Sequence, residues 1–399
     1  MANSSLQKVI ISERAAARLR DGHVWVYASD VVNDAGMQPG AMVHVFGPKN
    51  RVLGTAIYSS PSQIRLRLLG RELLHAEEEL LRLLRQRLEQ ACEYRRRMVE
   101  DSDASRLVFS EADGLPGLIV DRYNDVLTFQ ILTQAWEWPE RKQAIITAIE
   151  QLTGAENIVE RVDQRIRELE QLPQMESRLV HGSKQATVFT MNGVKFHYDA
   201  LGGQKTGAFL DQRENYRVAA RYARGEALDV CTYQGGFALH LARACDHVTA
   251  LDISREMLEI AEQNEKLNAG AMKQEIEWME ANAFDLMKDY AAAGKQYDII
   301  VLDPPAFAKS KKHLASAMRG YKELNLRAMK MLKPGGVLVT CTCSSAVSEE
   351  DFQAVLNEAA QDAHRTVRLA EKHTQAKDHP ILLGVPETYY LKCFVLIAP

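Results

Sequence analysis

The chain has 399 residues, 46% of them hydrophobic, and a formal net charge of −4 at neutral pH. This length can bury more than one core and predicts two or three domains, while the small negative net charge gives no indication of nucleic-acid binding. No apolar run approaches the ~20 residues that a membrane span requires.

The amino terminus and the cysteines indicate a cytoplasmic protein. The first residues lack the basic and apolar regions of a signal peptide. Cysteines stand at positions 92, 231, 245, 341, 343 and 393, and no two of them form a C-x-x-C pair. We therefore expect reduced thiols and no metal site.

Residues 1–72 predict a small β-barrel with one early helix, because short apolar runs alternate with turn residues. In the last run, Arg65 and Arg67 alternate with apolar side chains, so both project from one strand face. They are candidates for binding phosphates. An ordinary solvated strand face is the alternative interpretation.

A connecting helix and a second α/β section follow. Residues 73–104 carry leucines at helical spacing among charged side chains. Near the end of that helix, Arg95, Arg96 and Arg97 are interpreted as solvated surface. Residues 105–190 predict short strands, a helix and a hairpin, without a catalytic cluster, so we interpret them as a substrate-shaping domain.

A polar, glycine-rich segment lies between a hairpin at Asn192-Gly193 and the helix that contains residues 216–222. It immediately precedes the strand described next, where it can close over a ligand. Lys205 or Arg213 is then placed to meet a carboxylate. A surface loop followed by a capped helix is the alternative interpretation.

The rest of the chain is organised around residues 228–252. An apolar strand, a glycine turn, a helix and a second apolar strand follow one another here, and the second strand ends at Asp252. Such a half-Rossmann unit binds an adenosine-containing cofactor, because the glycines admit the ligand and the acid can bind both ribose hydroxyls. Doubly wound sheets of several functions share this unit.

A later strand favours S-adenosylmethionine over a dinucleotide as the cofactor. Residues 297–302 run into Asp303, Pro304 and Pro305. Dehydrogenases do not need this turn, but an enzyme that docks a planar base beside a methyl donor can use it. The prolines fix φ and offer no amide hydrogens, so the Asp303 side chain faces the substrate in a fixed geometry. A plain strand-ending turn is the alternative.

A basic run follows Phe307 and is predicted to form a loop and helix beside the active edge. RNA phosphates are its expected partner, and a solvated flap is the competing interpretation. The run consists of Lys309, Lys311, Lys312, His313, Arg319, Tyr321 and Lys322.

Four segments together resemble the bacterial ribosomal RNA large subunit methyltransferase I family. They are residues 22–27, the Gln204-Lys205-Thr206-Gly207 to Asp211-Gln212-Arg213 segment, Asp303-Pro304-Pro305 and Thr342-Cys343-Ser344. The resemblance covers essentially the whole chain, and the second segment is its most specific part. It implies an α/β protein with an N-terminal β-barrel PUA domain, a central mixed α/β domain and, in residues 191–399, a Rossmann-like class I methyltransferase domain.

The resemblance also implies the reaction, transfer of a methyl group from S-adenosylmethionine to carbon 5 of a cytosine in 23S rRNA. Because that carbon is a poor nucleophile, such enzymes first add a cysteine thiolate to carbon 6. Cys343 matches the family's Cys-Ser pattern and is the predicted nucleophile. Cys341 shares its face if the strand stays extended, and is interpreted as a small buried residue.

The remaining roles are carried over from the family to matching positions. Asp303 would hydrogen-bond the base at its ring nitrogen or amino group. Asn282 stands where relatives usually have an aspartate, and its carbonyl can still accept from the adenine amino group. Related RNA cytosine methyltransferases have a second cysteine where this chain has Ala306, so removal of the carbon 5 proton must use another group or water.

The resulting candidates fall into two sets. Those expected to bind the cofactor are Gln204, Lys205, Thr206, Gly207, Asp211, Arg213, Asp229, Tyr233, Gln234, Gly235, Asp252, Ile253, Asn282, Ala283 and Asp303. Those expected to bind the substrate are Pro304, Phe307, Arg65, Arg67, Lys309, Lys311 and Lys312.

Two readings from other classes stay open at this point. An amino-group methyltransferase also uses an acid-Pro-Pro-aromatic turn but needs no cysteine. A non-catalytic rRNA-binding assembly factor would be expected to have a decayed cofactor pocket. The expected partner is 23S rRNA or a large-subunit assembly intermediate. The resemblance is compatible with a homodimer, which nothing in the residues decides.

Overall fold

The computed structural model describes residues 7–202, 209–308 and 313–399. The chain divides into two compact units. The first falls within the ranges 1–188, 198–207 and 377–388, and the second within the ranges 189–197, 208–376 and 389–399.

In the described part of the first unit, six strands form a half-barrel sheet that encloses an apolar core, as predicted for the N-terminal module. Val9, Val43 and Leu66 are fully buried in that core. Helix α1 (Glu13–Arg20) is capped by Ser12, whose hydroxyl accepts from the Ala15 amide. The strands in spatial order are β2 (Trp25–Tyr27), β6 (Ile64–Gly70), β5 (Val52–Tyr58), β4 (Met42–Phe46), β1 (Lys8–Ile11) and β3 (Val31–Asn33).

A second sheet of the same unit packs against helices. Leu80, Leu84 and Leu88 of one helix are buried against this sheet, so the leucines at helical spacing form its core-facing side. The helices are α2 (Glu77–Met98), α3 (Pro139–Thr153) and α4 (Gln164–Leu169). The strands in spatial order are β11 (Arg178–His181), β10 (Asn157–Glu160), β9 (Val126–Ile131), β8 (Leu118–Tyr123) and β7 (Ala104–Phe109).

Arg95, near the end of α2, is buried, and its interpretation as solvated surface was wrong. Its guanidinium donates to Asp113 Oδ2 at 2.8 Å and to the Asp378 carbonyl at 2.8 Å. A buried charge needs such a partner, and Asp113 supplies one from the loop after β7. Arg96 and Arg97 are exposed, as expected.

Strands β12 (Ala186–Met191) and β13 (Val194–Asp199) form the predicted hairpin. The turn residues Asn192 and Gly193 have φ of 51° and 74°. Two successive positive φ angles characterise the tight hairpin turn that Asn-Gly favours.

In the second unit, a sheet of seven described strands is parallel except for the strand next to one edge. The strands in spatial order are β16 (Ile276–Glu280), β15 (His247–Asp252), β14 (Glu226–Val230), β17 (Tyr297–Leu302), β18 (Leu332–Thr342), β20 (Lys392–Ile397) and β19 (Arg368–Thr374). Strand β20 runs antiparallel to both of its neighbours. This is a doubly wound sheet of the Rossmann-like type.

Helices cover this sheet and bury its continuous apolar strands. Leu228, Ile300 and Leu338 of the central strands are fully buried, together with Phe352 and Leu324 from the helices. Near-continuous apolar strands are expected where both sheet faces are covered. The helices are α5 (Arg213–Arg221), α6 (Gly236–Leu241), α7 (Arg255–Asn268), α8 (Ala283–Ala292), α9 (Leu314–Lys330) and α10 (Glu349–Asp362).

Two kinds of feature are absent from the described residues. None of the helices found there combines the length and the apolar character needed to cross a membrane. Those residues also contain no group of three or more His, Cys, Asp or Glu side chains that could hold a metal ion.

Candidate active site

The order of the strands fixes where a ligand can bind in the second unit. Strands β14 and β17 are neighbours, although β15 and β16 lie between them in the sequence. The chain therefore leaves β14 towards one edge of the sheet and leaves β17 towards the other. A crevice opens at the carboxyl ends of two such strands, and Asp252, Asp303 and Cys343 each follow or end a strand at that side of the sheet.

The turn after β14 brings backbone close to this crevice. Cys231 and Tyr233 have φ of 65° and 55°, and Gly235 has φ of 84°. A Cβ at Gly236 would collide with the Tyr216 hydroxyl, and one at Gly235 would lie 2.8 Å from Trp278. Left-handed conformations are costly at the two non-glycine residues, and such strain is concentrated at functional sites. Cofactor binding at this turn stays a prediction.

Asp252 ends β15 with both carboxylate oxygens directed by the backbone. Its Oδ2 accepts from the Tyr233 amide at 2.9 Å, and its Oδ1 accepts from the Ser254 amide at 3.0 Å. An ionised carboxylate has about four acceptor positions, so two remain for vicinal hydroxyls. Beside it, Ile253 is 70% exposed, an apolar surface that suits the face of an adenine.

Asp229 and Asp211 each have one buried carboxylate oxygen without a hydrogen-bond donor among the described residues. The other oxygen of Asp229 accepts from the Thr232 hydroxyl at 2.6 Å and from the Ala238 amide at 2.9 Å. Burial, opposed by these two hydrogen bonds, raises the pKa of Asp229 to about 7. Buried acceptors of this kind match the two positive groups of S-adenosylmethionine, its sulfonium and its ammonium.

Asn282 caps helix α8. Its Oδ1 accepts from the Phe284 amide at 2.9 Å and from the Asp285 amide at 3.4 Å. A carbonyl oxygen has two lone pairs, so an adenine amino group would have to share or replace the weaker of these bonds. The adenine contact of Asn282 stays a prediction, and Ala283 begins the helix beside it.

Asp303 is held by a residue outside the predicted set. Gln212, which is buried, donates from Nε2 to Asp303 Oδ2 at 2.9 Å. Burial and the negative charges of Asp211 and Asp229 raise the pKa of Asp303 to about 8, against the effect of the Gln212 bond. The carboxyl group is therefore mostly neutral at pH 7 and can donate a proton. Gln212 lies inside the most family-specific segment, and that position is the sequence signal that could have identified it.

The two cysteines at the carboxyl end of β18 differ in their surroundings. Cys343 follows the strand and is half-buried, and its sulfur lies 3.9 Å from the Pro304 carbonyl oxygen. Cys341 is fully buried opposite Cys393 in the ladder between β18 and β20. Burial raises the pKa of Cys341 well above its usual value, as predicted for a small core residue and unlike a nucleophile.

Tyr321 braces the segment that carries Cys343. Its hydroxyl lies 2.9 Å from Ser344 Oγ and accepts from Thr342 Oγ1 at 2.8 Å. Ser344 Oγ in turn accepts from the Ala308 amide at 3.2 Å. The sequence placed Tyr321 in a basic run facing RNA, but its side chain is fully buried. It ties both neighbours of Cys343 to the loop that follows Asp303.

Tyr321→Phe is expected to lower the free energy of unfolding by about 1–3 kcal/mol, because buried hydroxyl partners lose a hydrogen bond. It is also expected to lower kcat roughly tenfold by loosening the Cys343 segment. Urea denaturation and steady-state methyl transfer measure the two effects. Tyr297→Phe is the matched control, since Tyr297 begins β17 about 20 Å of strand from Asp303; equal losses of kcat in both variants would contradict the bracing role.

The remaining predicted site residues lie in several different surroundings, and some lie outside the described residues. Gln204, Lys205, Thr206, Gly207, Lys309, Lys311 and Lys312 lie outside the described residues. Arg213 is buried at the start of α5 with its guanidinium 3.4 Å from Glu214. Phe307 packs against Tyr321 with ring centroids 4.8 Å apart. Lys322 of the basic run pairs with Glu358 and Asp362 of α10, so that lysine is neutralised within the unit.

Arg65 and Arg67 are engaged in local ion pairs and do not form the solvated strand face that was the alternative to phosphate binding. Arg67 is buried, with its guanidinium 3.6 Å from Glu111 and 3.8 Å from Glu170. Arg65 lies 3.3 Å from Asp34. A phosphate would have to displace these carboxylates, so contact with RNA at either arginine remains a prediction that the local ion pairs disfavour.

Known proteins resemble this chain along almost all of its length. A family model described as S-adenosylmethionine-dependent methyltransferase matches residues 112–384, and one described as a PUA-like domain matches residues 9–71. The ribosomal RNA large subunit methyltransferase I of Vibrio parahaemolyticus is 36% identical over 93% of this chain and 94% of its own length. The protein of the same name from Klebsiella pneumoniae is 34% identical over 99% of each.

Solved structures match the fold. The methyltransferase SMU.776, crystallised with SAH, superposes with a TM-score of 0.84 at 18% identity, covering 98% of this chain and 100% of that one. A SAM-dependent methyltransferase from Streptococcus mutans superposes with a TM-score of 0.82, also at 18% identity and with the same coverage. At this identity the matches concern the fold alone.

Proposed function

We propose, since the chain belongs to the ribosomal RNA large subunit methyltransferase I family, that it methylates carbon 5 of a cytosine in 23S rRNA. Its cofactor is S-adenosylmethionine. The single observation that supports the carbon 5 reaction best is the 3.9 Å approach of the Cys343 sulfur to the Pro304 carbonyl. It brings the predicted nucleophile to the acid-Pro-Pro turn.

Cys343 is proposed to act as a nucleophile. Its thiolate adds to carbon 6 of the cytosine, and the ring electrons then make carbon 5 reactive. After carbon 5 has been methylated and has lost its proton to water or to another group of the protein, the bond between carbon 6 and sulfur breaks and the thiolate leaves. Cys341 is not suited to this role, because its sulfur is buried opposite Cys393.

Asp303 is proposed to act as the acid for this addition. Attack at carbon 6 moves negative charge to ring nitrogen 3, which then needs a proton or a strong donor. With a pKa raised to about 8, the Asp303 carboxyl carries that proton at neutral pH. Gln212 orients it by donating to Oδ2, and the proton returns to Asp303 when the adduct breaks down.

Cofactor binding is assigned to the carboxyl ends of β14 and β15. Asp252 would hold the ribose hydroxyls, the turn at Tyr233, Gln234 and Gly235 would lie along the methionine portion, and Asp229 would face a positive group. S-adenosylmethionine supplies a methyl group activated by a sulfonium. The feature of this chain that fits such a cation is the pair of buried carboxylate oxygens, on Asp211 and Asp229, that have no hydrogen-bond donor among the described residues.

The RNA partner is proposed from the domain content. Relatives named ribosomal RNA large subunit methyltransferase I align along almost the whole chain, and the PUA-like domain is proposed to bind RNA as well. The substrate is 23S rRNA, either free or in a large-subunit assembly intermediate, and a homodimer is compatible with the same resemblance.

The product identifies the reaction. Methyl transfer from labelled S-adenosylmethionine to 23S rRNA from cells lacking this protein, followed by nucleoside mass analysis, is expected to place the label in 5-methylcytosine. Label in a nitrogen-methylated base would contradict the proposal and favour an amino-group methyltransferase. Rejection would also follow if neither free 23S rRNA nor immature large-subunit particles accepted label.

A further inference from the structure

A lysine is buried beside the segment that carries the proposed nucleophile. Lys392 begins β20 and is only 2% exposed. It is the ladder partner of Thr342 on β18, the residue immediately before Cys343. A lysine at such depth is unusual, because the ammonium loses its hydration unless other groups replace it.

The groups around the Lys392 ammonium come from several elements. It lies 4.8 Å from the centre of the Tyr389 ring, where a cation is attracted by the ring's π electrons. Glu349 and Glu350 of α10 and the Cys343 sulfur are the groups whose negative charge favours its protonated form. Among the described residues, no carboxylate oxygen lies within 4 Å of the Lys392 ammonium, the distance that defines an ion pair.

Glu349 is the strongest competitor for this ammonium, but its oxygens are already engaged. Glu349 Oε1 accepts from Lys372 Nζ at 2.7 Å, and its Oε2 accepts from the Tyr389 hydroxyl at 2.8 Å. Lys372 belongs to β19 and is 43% exposed. The carboxylate is therefore balanced by a second lysine, which leaves the charge of Lys392 for another anion.

We propose that Lys392 acts through Cys343, holding the Cys343 sulfur as a thiolate before the substrate arrives. The ammonium belongs to a buried residue of β20, and the thiol belongs to the residue that follows the neighbouring strand β18. A thiolate is favoured by a nearby cation, and more strongly where water is excluded. Burial lowers the pKa of Lys392, whereas Glu349 and Cys343 act in the opposite direction. The attraction between ammonium and thiolate is mutual.

This inference rests on the proposed function, because it supplies the form of Cys343 that attacks carbon 6. It adds a residue that touches neither the base nor the cofactor. Tyr321 of α9 also contacts the two neighbours of Cys343, Thr342 and Ser344, but a phenol gives no positive charge. Lys392 therefore places a positive charge near Cys343, whereas Tyr321 holds the backbone on either side of Cys343.

The test is the pH dependence of Cys343 alkylation by iodoacetamide in the full chain, without RNA or S-adenosylmethionine, with the label located by peptide mass spectrometry. Lys392→Met removes the charge and is expected to move the midpoint about one pH unit upward, which slows labelling about tenfold at pH values well below the wild-type midpoint. Lys392→Arg keeps the charge and should leave the midpoint within about 0.3 pH units of the wild type. Lys372→Met is the matched control, since it removes a lysine that binds the same glutamate.

An unchanged midpoint in Lys392→Met, with circular dichroism showing a folded chain, would overturn the proposal, and so would an equal shift in Lys372→Met. If the methionine variant does not fold, Lys392→Gln is measured in its place with the same two criteria. The alkylation needs no methyl transfer. Its failure is therefore distinct from failure of the proposed function, which the methylated nucleoside decides.

Discussion

Cys343→Ala is expected to lower methyl transfer to 23S rRNA at least ~10⁴-fold, because removing a covalent nucleophile leaves only binding and orientation. The affinity for S-adenosylmethionine should stay within about twofold of the wild type, since the acids and the glycine turn that are assigned to the cofactor lie on β14 and β15. Rapid-quench assays and calorimetric titration with S-adenosylmethionine measure the two quantities.

Cys341→Ala provides the matched control. It removes a thiol two residues earlier, within β18, that is buried opposite Cys393. We expect activity within about threefold of the wild type and a stability loss of about 1 kcal/mol, as for a small core truncation.

RNA containing 5-fluorocytosine distinguishes the roles of Cys343 and Cys341 without a rate measurement. Fluorine at carbon 5 cannot leave as a proton does, so the bond between sulfur and carbon 6 persists and the protein–RNA adduct survives denaturing electrophoresis. Wild type and Cys341→Ala should form this adduct, and Cys343→Ala should not. An adduct with Cys343→Ala, or retained methyl transfer, would remove Cys343 from the mechanism.

The gathering of Asp252, Asp303 and Cys343 at one side of the sheet was predictable from the sequence. Each follows or ends an apolar strand-like run, and the carboxyl ends of parallel strands meet at one edge. Local turn chemistry was equally informative at Asn192-Gly193, where only a tight hairpin suits both residues. What each site residue does is a further question that strand position alone does not answer.

Side chains whose environment depends on distant partners were not predictable in this way. Arg67 faces outward by strand alternation, yet Glu111 and Glu170 from other segments enclose it. Tyr321 lies among lysines in the sequence, but the hydroxyls of Thr342 and Ser344 draw it inward. Periodicity identifies a face, whereas the partner that covers the face is set by tertiary packing.

Lys392 is a case in which a signal was present in the sequence. The lysine stands inside an apolar run, between Leu391 and Cys393. A charged residue within a strand that reads as buried is rare unless it is paired or used. The missing information was the neighbour, because the pairing of β20 with β18 joins segments about fifty residues apart in the chain.

Asp303→Asn is the second variant expected to have a large effect, a loss of about 10²–10⁴-fold in the rate of methyl transfer. Asparagine keeps the size of the side chain and a hydrogen-bond donor, but it has no proton to give to ring nitrogen 3. Single-turnover rates measured from pH 6 to 10 test this. The wild-type rate should decline above about pH 8 as the Asp303 acid is lost.

The variant should lose that alkaline decline as well as activity. The free energy of unfolding of the variant gives the control. The pKa of Asp303 in the folded protein lies above the unfolded value of about 3.9. Ionisation of Asp303 therefore destabilises the folded wild type as the pH rises from about 4 towards 8. Asp303→Asn should therefore be at least as stable as the wild type at pH 8. A slow variant that is also less stable, or one that retains the alkaline decline, would show that Asp303 serves the fold rather than the proton.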